Sequence, residues 1–312
     1  MTTTMTTPIA DLRLAILAGK GGVGRTTVAA ALARAVAAQG RRVLIAQTDA
    51  PDRLGKLFGH AQPVGTEVVT LAPGIDAVNM NPTSALHEYG LMVLRYETVY
   101  RALFENRAVR GFLGAIPGLD AYAMLGKVWW HTTEMVRGRP RYDLTILDGP
   151  ASGHATLMLH LPQAVLSAMP RGPLARDAQA ALDLLTDPVR TAMVIVTLPE
   201  ELPVRETIEL ARNAREMLKI PLGPIVVNAM PPGSLSTPAL DAVLGLLPLP
   251  TGDPDLDATL AMAARVRAHR RTADDMVARL KANPGLPMVV LPRVPTADLG
   301  PEDVEQLAGL LR

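Results

Sequence analysis

A glycine-rich loop near the start of the chain constrains the fold more than any other feature of the sequence. Residues 19–27 read Gly-Lys-Gly-Gly-Val-Gly-Arg-Thr-Thr and follow the short apolar run Leu14–Ala18. The next segment, Thr26–Gln39, is rich in alanine and contains no glycine or proline, which predicts a helix that ends at Gly40. A strand, a glycine-rich turn and a helix in this order form the context that a phosphate-binding loop requires.

The residues of this loop predict how it binds phosphate. Glycines let the backbone curl so that successive N–H groups point inward, and the N-terminus of the following helix adds its positive end. The hydroxyl group of Thr26 is placed to contact Mg²⁺. The candidate cofactor-binding residues of the loop are Gly19, Lys20, Gly21, Gly22, Val23, Gly24, Arg25, Thr26 and Thr27.

Apolar runs that alternate with helical segments predict the architecture. Besides the first run, the segments typical of buried parallel strands are Arg42–Gln47, Leu144–Leu147, Ala192–Leu198, Pro224–Val227 and Met288–Leu291. A last helix is expected over Glu302–Leu311. This alternation predicts an α/β protein with a doubly wound, mostly parallel sheet and helices on both faces.

Longer helical patterns predict insertions into this sheet. The candidate segments are Ala85–Arg95, Thr98–Arg110, Tyr122–Arg137, the section from Gly153 towards Leu185, and the second half of Leu240–Ala282. The sequence shows no internal repeat and no low-complexity linker. We therefore expect one domain over residues 1–312, with a helical subdomain formed by insertions at about 83–140 and 155–187.

Composition excludes several classes of protein. The chain contains no cysteine, which rules out disulfides, cysteine-ligated iron–sulfur clusters and a Cys-X-X-Cys zinc site. A net charge of +1 gives no support to nucleic-acid binding. No apolar run approaches the roughly 20 residues of a membrane span, so we expect a cytoplasmic protein without an integral membrane segment.

Two basic residues lie in the phosphate loop. Lys20 occupies the second position, and Arg25 stands where such loops normally carry a lysine. Arginine keeps the positive charge, but its planar fork is longer than a compact ammonium group. Two interpretations stay open: neutral drift, since only five of the 31 basic residues are lysine, or weakened hydrolysis with binding retained.

One acidic residue lies where a loop of this kind requires it. Asp148 directly follows the predicted strand that ends at Leu147. An aspartate at the tip of a buried strand beside a phosphate loop is positioned to hold Mg²⁺. The sequence therefore predicts a magnesium site that Thr26 and Asp148 share.

Three segments resemble the arsenite-transport and tail-anchored-protein-targeting (ArsA-like) ATPases of the deviant Walker A class. The loop at 19–27, with Lys20 as a signature lysine, resembles the phosphate loop of that class. Residues 148–154, Asp-Gly-Pro-Ala-Ser-Gly-His, are similar to the family's switch II, Asp-Thr-Ala-Pro-Thr-Gly-His. Residues 48–54, Thr-Asp-Ala-Pro-Asp-Arg-Leu, resemble its switch I, Thr-Asp-Pro-Ala-His-Ser-Leu. The resemblance spans Leu12–Leu311 and is closest to bacterial members that occur as paired paralogues.

The resemblance implies an ATPase that uses ATP and Mg²⁺. Lys20 would reach across a dimer interface to the partner's nucleotide, and Asp49 would orient the attacking water. A purely structural alternative for Asp49 is a turn cap before Pro51. The candidate catalytic residues are Asp49, Lys20 and Asp148, and the candidate metal ligands are Thr26, Asp49 and Asp148.

The resemblance also implies an adenine site and a partner. Asn228 would read the adenine ring, because an amide side chain offers both the donor and the acceptor that adenine needs. Pro292 and Val294 resemble the family's second adenine-side loop. The expected assembly is a homodimer, or a heterodimer with an ArsA-like paralogue.

Three functions remain in competition. The first is a dimeric switch that binds a protein client at the helical subdomain, where adaptable apolar side chains are Met124, Trp129, Trp130, Met135, Met158 and Met169. The alternative, which composition favours, is that these residues are ordinary core. The second is a ParA/MinD-type positioning ATPase, although the acidic start of segment 301–312 does not suit a basic membrane helix. The third is a partner subunit that binds nucleotide but hydrolyses it weakly.

Overall fold

The protein, represented by a computed structural model, is built around one large sheet. The residues that the structure describes are 8–51, 53–94, 118–233, 245, 251–296 and 298–311. The predicted helix Thr98–Arg110 lies outside these residues.

Ten strands are present in the described residues. They are β1 Leu14–Ala18, β2 Val43–Thr48, β3 Val69–Ala72, β4 Ile75–Met80, β5 Met135–Val136, β6 Arg139–Pro140, β7 Leu144–Asp148, β8 Thr191–Thr197, β9 Leu222–Met230 and β10 Met288–Pro292. Eight of them form a sheet in the order β10-β9-β8-β1-β7-β2-β4-β3. All neighbours are parallel except β3, which runs antiparallel to β4. The six predicted strands are all present, with bounds that differ by at most three residues.

The helices cover both faces of the sheet. They are α1 Arg25–Ala37, α2 Leu54–Leu57, α3 Pro82–Leu94, α4 Leu119–Thr133, α5 Ser152–Ala168, α6 Pro173–Leu185, α7 Glu201–Asn213, α8 Pro254–Ala282 and α9 Pro301–Gly309. A 3₁₀ turn at Ile9–Asp11 precedes β1, and a π turn at Ala214–Leu218 extends α7. This arrangement confirms the predicted fold class.

The central strand β1 divides the core into two layers. All five of its residues are buried, as expected for a parallel strand covered on both faces. Leu14 and Ile16 belong to one cluster, which includes residues of α4, α5, α6 and α7. Ala15 and Leu17 belong to the other, which includes α1 and α9. Alternating side chains of one strand therefore anchor the helices of both faces.

Two strands of the large sheet were not expected from the sequence. The segment between β2 and β7 was predicted to be mostly helical, but β3 and β4 extend the sheet beyond β2. Asp76 and Asn79 interrupt the apolar pattern of β4, and both are only half-buried. A strand near the edge of a sheet needs no continuous apolar run, and this is why the pattern was weak.

The helix predicted over Tyr122–Arg137 was wrong at its C-terminal end. Helix α4 ends at Thr133, and a short β5–β6 hairpin follows. Arg137 and Gly138 form its turn with φ angles of 52° and 76°. Two consecutive residues with positive φ are typical of a type I′ hairpin turn, which ends the helix instead of extending it.

The remaining helical segments agree in position with the predicted insertions. Helix α3 packs against α4, and α5 packs against α6. The division into a sheet domain and a helical subdomain stays a prediction. Among the described residues, no helix combines the length and apolar character needed to cross a bilayer.

Candidate nucleotide-binding site

The phosphate loop connects β1 to α1 at the centre of the sheet. Gly19 has a φ angle of 154°, and a Cβ atom there would lie 2.2 Å from the carbonyl oxygen of Val196 in β8. Gly24 has a φ angle of 88°, and a Cβ atom there would lie 2.2 Å from Nδ2 of Asn228. Both positions require glycine, because a side chain would collide with neighbouring strands or loops. The loop is therefore packed directly on the carboxyl ends of β8 and β9.

Asn228 holds the loop in this structure. Its Nδ2 donates a hydrogen bond of 2.9 Å to the carbonyl oxygen of Val23. Pro292 ends the neighbouring strand β10 and is in register with Met230, so Pro292 and Val294 lie at the same edge of the sheet as Asn228. The contact of Asn228 with the loop was not expected from the sequence, and adenine recognition by these residues stays a prediction.

Two of the three residues predicted to bind magnesium, Thr26 and Asp148, are in contact. Thr26 Oγ1 donates a 2.7 Å hydrogen bond to Oδ2 of Asp148. The residue Asp148 is buried, with 3% of its surface exposed. Gln47 Nε2 donates to the same oxygen over 3.0 Å. A hydroxyl and a carboxylate are the oxygen ligands that Mg²⁺ prefers, so this pair fits the metal. The structure brings them together because β1, β7 and β2 are adjacent and end at the same edge.

Arg25 connects the phosphate loop to the segment after β7. Its Nη1 donates to the carbonyl oxygens of Gly19 and Pro150 over 2.7 and 2.8 Å. Its Nε lies 3.9 Å from Oδ1 of Asp148. Burial lowers the pKa of Arg25, and the nearby carboxylate of Asp148 opposes that shift. The guanidinium group is thus occupied by two backbone carbonyls in this state.

Lys20 forms an ion pair within its own chain. Its Nζ lies 2.7 Å from Oε1 of Glu206 in α7, and both side chains are about one-third exposed, at 33% and 28%. Ser152 Oγ donates to the other carboxylate oxygen of Glu206 over 3.3 Å. Glu206 therefore joins the phosphate loop to the start of α5. No feature of the sequence pattern pointed to Glu206 as a partner of Lys20.

The turn after β2 presents Asp49 at the surface. Asp49 has a φ angle of 47°, which is uncommon for a residue other than glycine. Its backbone N–H donates to the carbonyl oxygen of Met80 over 2.7 Å. Asn79 holds the next residue, Ala50, by two hydrogen bonds of 3.0 and 2.8 Å. The left-handed conformation is thus fixed from β4, as is common at functional sites.

An open cleft of about 670 Å³ lies beside these residues. Its walls come from the phosphate loop, the segment after β2 and the segment before α9: Gly22, Gly24, Arg25, Thr26, Thr27, Ala50, Pro51, Arg53, Lys56, Leu57, Asp298 and Leu299. An ion pair between Lys56 and Asp298 connects two of these walls. A concave volume of this size is within the range of small-molecule sites.

The parallel sheet, the glycine-rich loop and the Thr26–Asp148 pair define a P-loop nucleotide-binding protein. Comparison with known proteins is consistent with this class. A sequence model of the anion-transporting ATPase (ArsA) family matches residues 12–173, and the chain belongs to that family.

Three curated relatives illustrate the range of the family. ATPase BagA of Mycobacterium tuberculosis is 30% identical over 233 residues, which cover 73% of this chain and 68% of the relative. An arsenical pump-driving ATPase of Escherichia coli is 26% identical over 69% of this chain and 39% of its own length. ATPase GET3 of Kluyveromyces lactis is 25% identical over 64% of this chain and 67% of its own length. The chain is therefore a nucleotide-binding protein of an ATPase family.

Proposed function

We propose that this protein hydrolyses ATP with Mg²⁺ and works as a dimeric switch that couples its nucleotide state to a partner or client. The main observation in support of this proposal is the contact between Thr26, in the phosphate loop, and Asp148. It places two hard oxygen groups at the N-terminus of α1, where backbone N–H groups favour an anion. The family assignment supports ATPase activity in general.

The residues around the cleft have separate roles in this proposal. The backbone N–H groups of residues 19–27 bind the phosphates, and Asn228 lies on the adenine side with Pro292 and Val294. Thr26 and Asp148 hold Mg²⁺, with Asp49 as a further metal-site residue, and the ion neutralises phosphate charge when bound. Asp49 also orients the attacking water, which its exposed position after β2 allows.

Dimer closure requires Lys20 to change partners. The proposed partner of Lys20 is the nucleotide of the second subunit, but in this structure Lys20 pairs with Glu206. A partly exposed pair of this kind contributes only about 1 kcal/mol or less. A phosphate group on the other subunit can therefore displace it, and ATP binding and dimer closure become linked. Either a second copy or a paralogue can supply the second subunit.

The client surface of this proposal lies on the helical segments and on the β5–β6 hairpin that follows α4. Met124 and Met158 are buried, so these two methionines are ordinary core residues and not part of a client surface. Trp130, Met135 and Met169 are 48%, 59% and 46% exposed. A photo-crosslinking residue at Met135 should capture the client, whereas the same group at Val189, which is 66% exposed near the start of β8, should not.

A second candidate is a subunit that binds ATP but hydrolyses it weakly. The observation that favours it is the hydrogen bonding of Arg25, whose Nη1 donates to two backbone carbonyls. Such a subunit could still provide Lys20 to a competent partner. Phosphate release by the purified chain alone, and again after its paralogue is added, separates the two candidates.

Calorimetry with ATP in Mg²⁺ and in EDTA tests the main proposal. The unmodified chain should bind ATP more tightly with Mg²⁺. Thr26→Val and Asp148→Asn should remove most of that difference, because each deletes a proposed metal contact. Thr186→Val is the matched control, since that hydroxyl group, directly after α6, donates to the carbonyl oxygen of Leu182. The absence of ATP binding at millimolar concentration would refute the proposal.

A further inference from the structure

A row of three polar residues crosses the sheet beside the candidate metal site. Gln47 in β2 is in register with Asp148 in β7 on one side and with Asn79 in β4 on the other. Residues in register on parallel strands point to the same face of a sheet. The row therefore runs from the proposed metal-binding carboxylate to the strand that supports the turn at Asp49.

Gln47 is buried in a way that core packing does not explain. Its side chain is 0% exposed, and Nε2 donates to Oδ2 of Asp148 over 3.0 Å. Its Oε1 is buried and has no hydrogen-bond partner in the part of the chain that the structure describes. An unpaired buried carbonyl group is unfavourable, so an apolar side chain of similar length would serve the core better. The remaining contribution of the amide is its hydrogen bond to Asp148.

Asn79 fixes the turn that follows β2. Its Oδ1 accepts from the backbone N–H of Ala50 over 3.0 Å, and its Nδ2 donates to the carbonyl oxygen of Ala50 over 2.8 Å. Two bonds to one residue leave the peptide groups that flank Ala50 little freedom to rotate. Asp49, in its left-handed conformation, immediately precedes this residue.

We propose that Gln47 and Asn79 are positioning residues of the ATPase site. Gln47 orients the carboxylate of Asp148 for Mg²⁺, and Asn79 holds the turn that presents Asp49 to the water. Because the two side chains are neighbours across β2 and β4, the metal site and this turn share one rigid support. This inference rests on the proposed function.

The variant Gln47→Met tests the first role. It keeps the length of the side chain but removes the donor to Asp148, so the tightening of ATP binding by Mg²⁺ should fall about tenfold, as expected for one hydrogen bond to a charged group. Its melting temperature should not fall, because the variant also removes the unpaired Oε1. The control is Thr145→Val, which removes another buried, unpaired oxygen three residues before Asp148. Full dependence on Mg²⁺ in Gln47→Met would overturn the role of Gln47.

The variant Asn79→Ala tests the second role. The amide hydrogen of Ala50 should exchange with solvent at least about tenfold faster, because Asn79 is its partner. The turnover number should fall about tenfold while the affinity for ATP changes less than about twofold. Asn81→Ala is the matched control, because its side chain bonds to Ser84 in α3. Unchanged exchange at Ala50, or a normal turnover number, would overturn the role of Asn79.

The failure of this inference is distinguishable from failure of the proposed function. If the unmodified chain binds no ATP in Mg²⁺, the proposed function fails and the inference with it. If the unmodified chain binds and hydrolyses ATP while Gln47→Met and Asn79→Ala behave like their controls, only the positioning roles fail.

Discussion

Because Lys20 pairs with Glu206 in its own chain, we predict that removing the charge of Glu206 strengthens dimer formation. Glu206→Gln keeps the size of the side chain and its ability to bond to Ser152, but it removes the charge that holds Lys20 in its own subunit. With ATP and Mg²⁺ present, Lys20 should then be free to contact the second subunit. We therefore expect tighter dimers from a change that lies outside the nucleotide cleft.

The size of the effect follows from the exposure of the pair. The atoms Nζ and Oε1 are 2.7 Å apart, but the side chains are 33% and 28% exposed. Solvent screening limits such a pair to about 1 kcal/mol. Closure of a homodimer breaks one pair in each subunit, about 2 kcal/mol in total, which corresponds to a roughly 30-fold lower dissociation constant.

Sedimentation velocity at several protein concentrations measures this constant. Glu209→Gln is the matched control, because it makes the same change of charge on an exposed position of the same helix. Lys20→Ala should have the opposite effect, with weaker dimers and lower turnover. In buffer with EDTA, Glu206→Gln should show no advantage over the control, because there is no Mg²⁺–ATP for Lys20 to bind.

Two results would refute this reasoning. Equal dissociation constants for Glu206→Gln and Glu209→Gln in ATP and Mg²⁺ would show that the pair does not compete with closure. A chain that stays monomeric by light scattering with ATP bound, both alone and mixed with an ArsA-like paralogue, would refute the dimer itself.

Two further substitutions test the chemistry of buried basic residues. Arg25→Lys should destabilise the chain by about 1–2 kcal/mol in urea unfolding, because lysine loses hydrogen bonds to Gly19 and Pro150. The same variant should release phosphate several-fold faster if Arg25 restrains hydrolysis, whereas an unchanged rate would identify Arg25 as neutral drift. Burial lowers the pKa of His131 in the folded chain to about 4. In the unfolded chain this imidazole takes up a proton already as the pH falls below about 6.5. The free energy of unfolding should therefore drop by about 2.5 kcal/mol between pH 7 and 4.5. His131→Leu should lose that part of the pH dependence, and an identical pH profile for both proteins would contradict the assignment.

The sequence predicted the strands of the sheet centre better than those of its edge. Strands such as β1 and β8 are buried on both faces, and a continuous apolar run records that burial. Strand β4 contains two partly exposed polar residues, Asp76 and Asn79, and these interrupt the apolar pattern. The hairpin after α4 was missed because its turn, Arg137-Gly138, carries only one glycine within a segment of helical composition.

The candidate site was predictable where its residues belong to recognisable motifs. Thr26 and Asp148 were expected to meet, and they are in contact. Glu206 was missed because its meeting with Lys20 depends on the placement of α7 beside the loop, which local pattern does not encode. A glutamine in the apolar run of β2 is unusual, so the sequence indicated weakly that Gln47 has a special role. Its partner, Asp148, became evident only from the register of β2 and β7.

Helix α5 offers a physical route from the nucleotide site to the helical segments. Its first residue, Ser152, donates its backbone N–H to the carbonyl oxygen of Gly19 over 3.1 Å and its hydroxyl group to Glu206. The 17 residues of the helix rise about 25 Å, so its far end at Ala168 lies well away from the loop. Under the proposed function, phosphate binding that frees Lys20 from Glu206 should also change the contact between Ser152 and Glu206. Under the proposed function, we expect a displacement at the N-terminus of α5 to be passed along the helix towards Met169, where an exposed apolar side chain is available to a client.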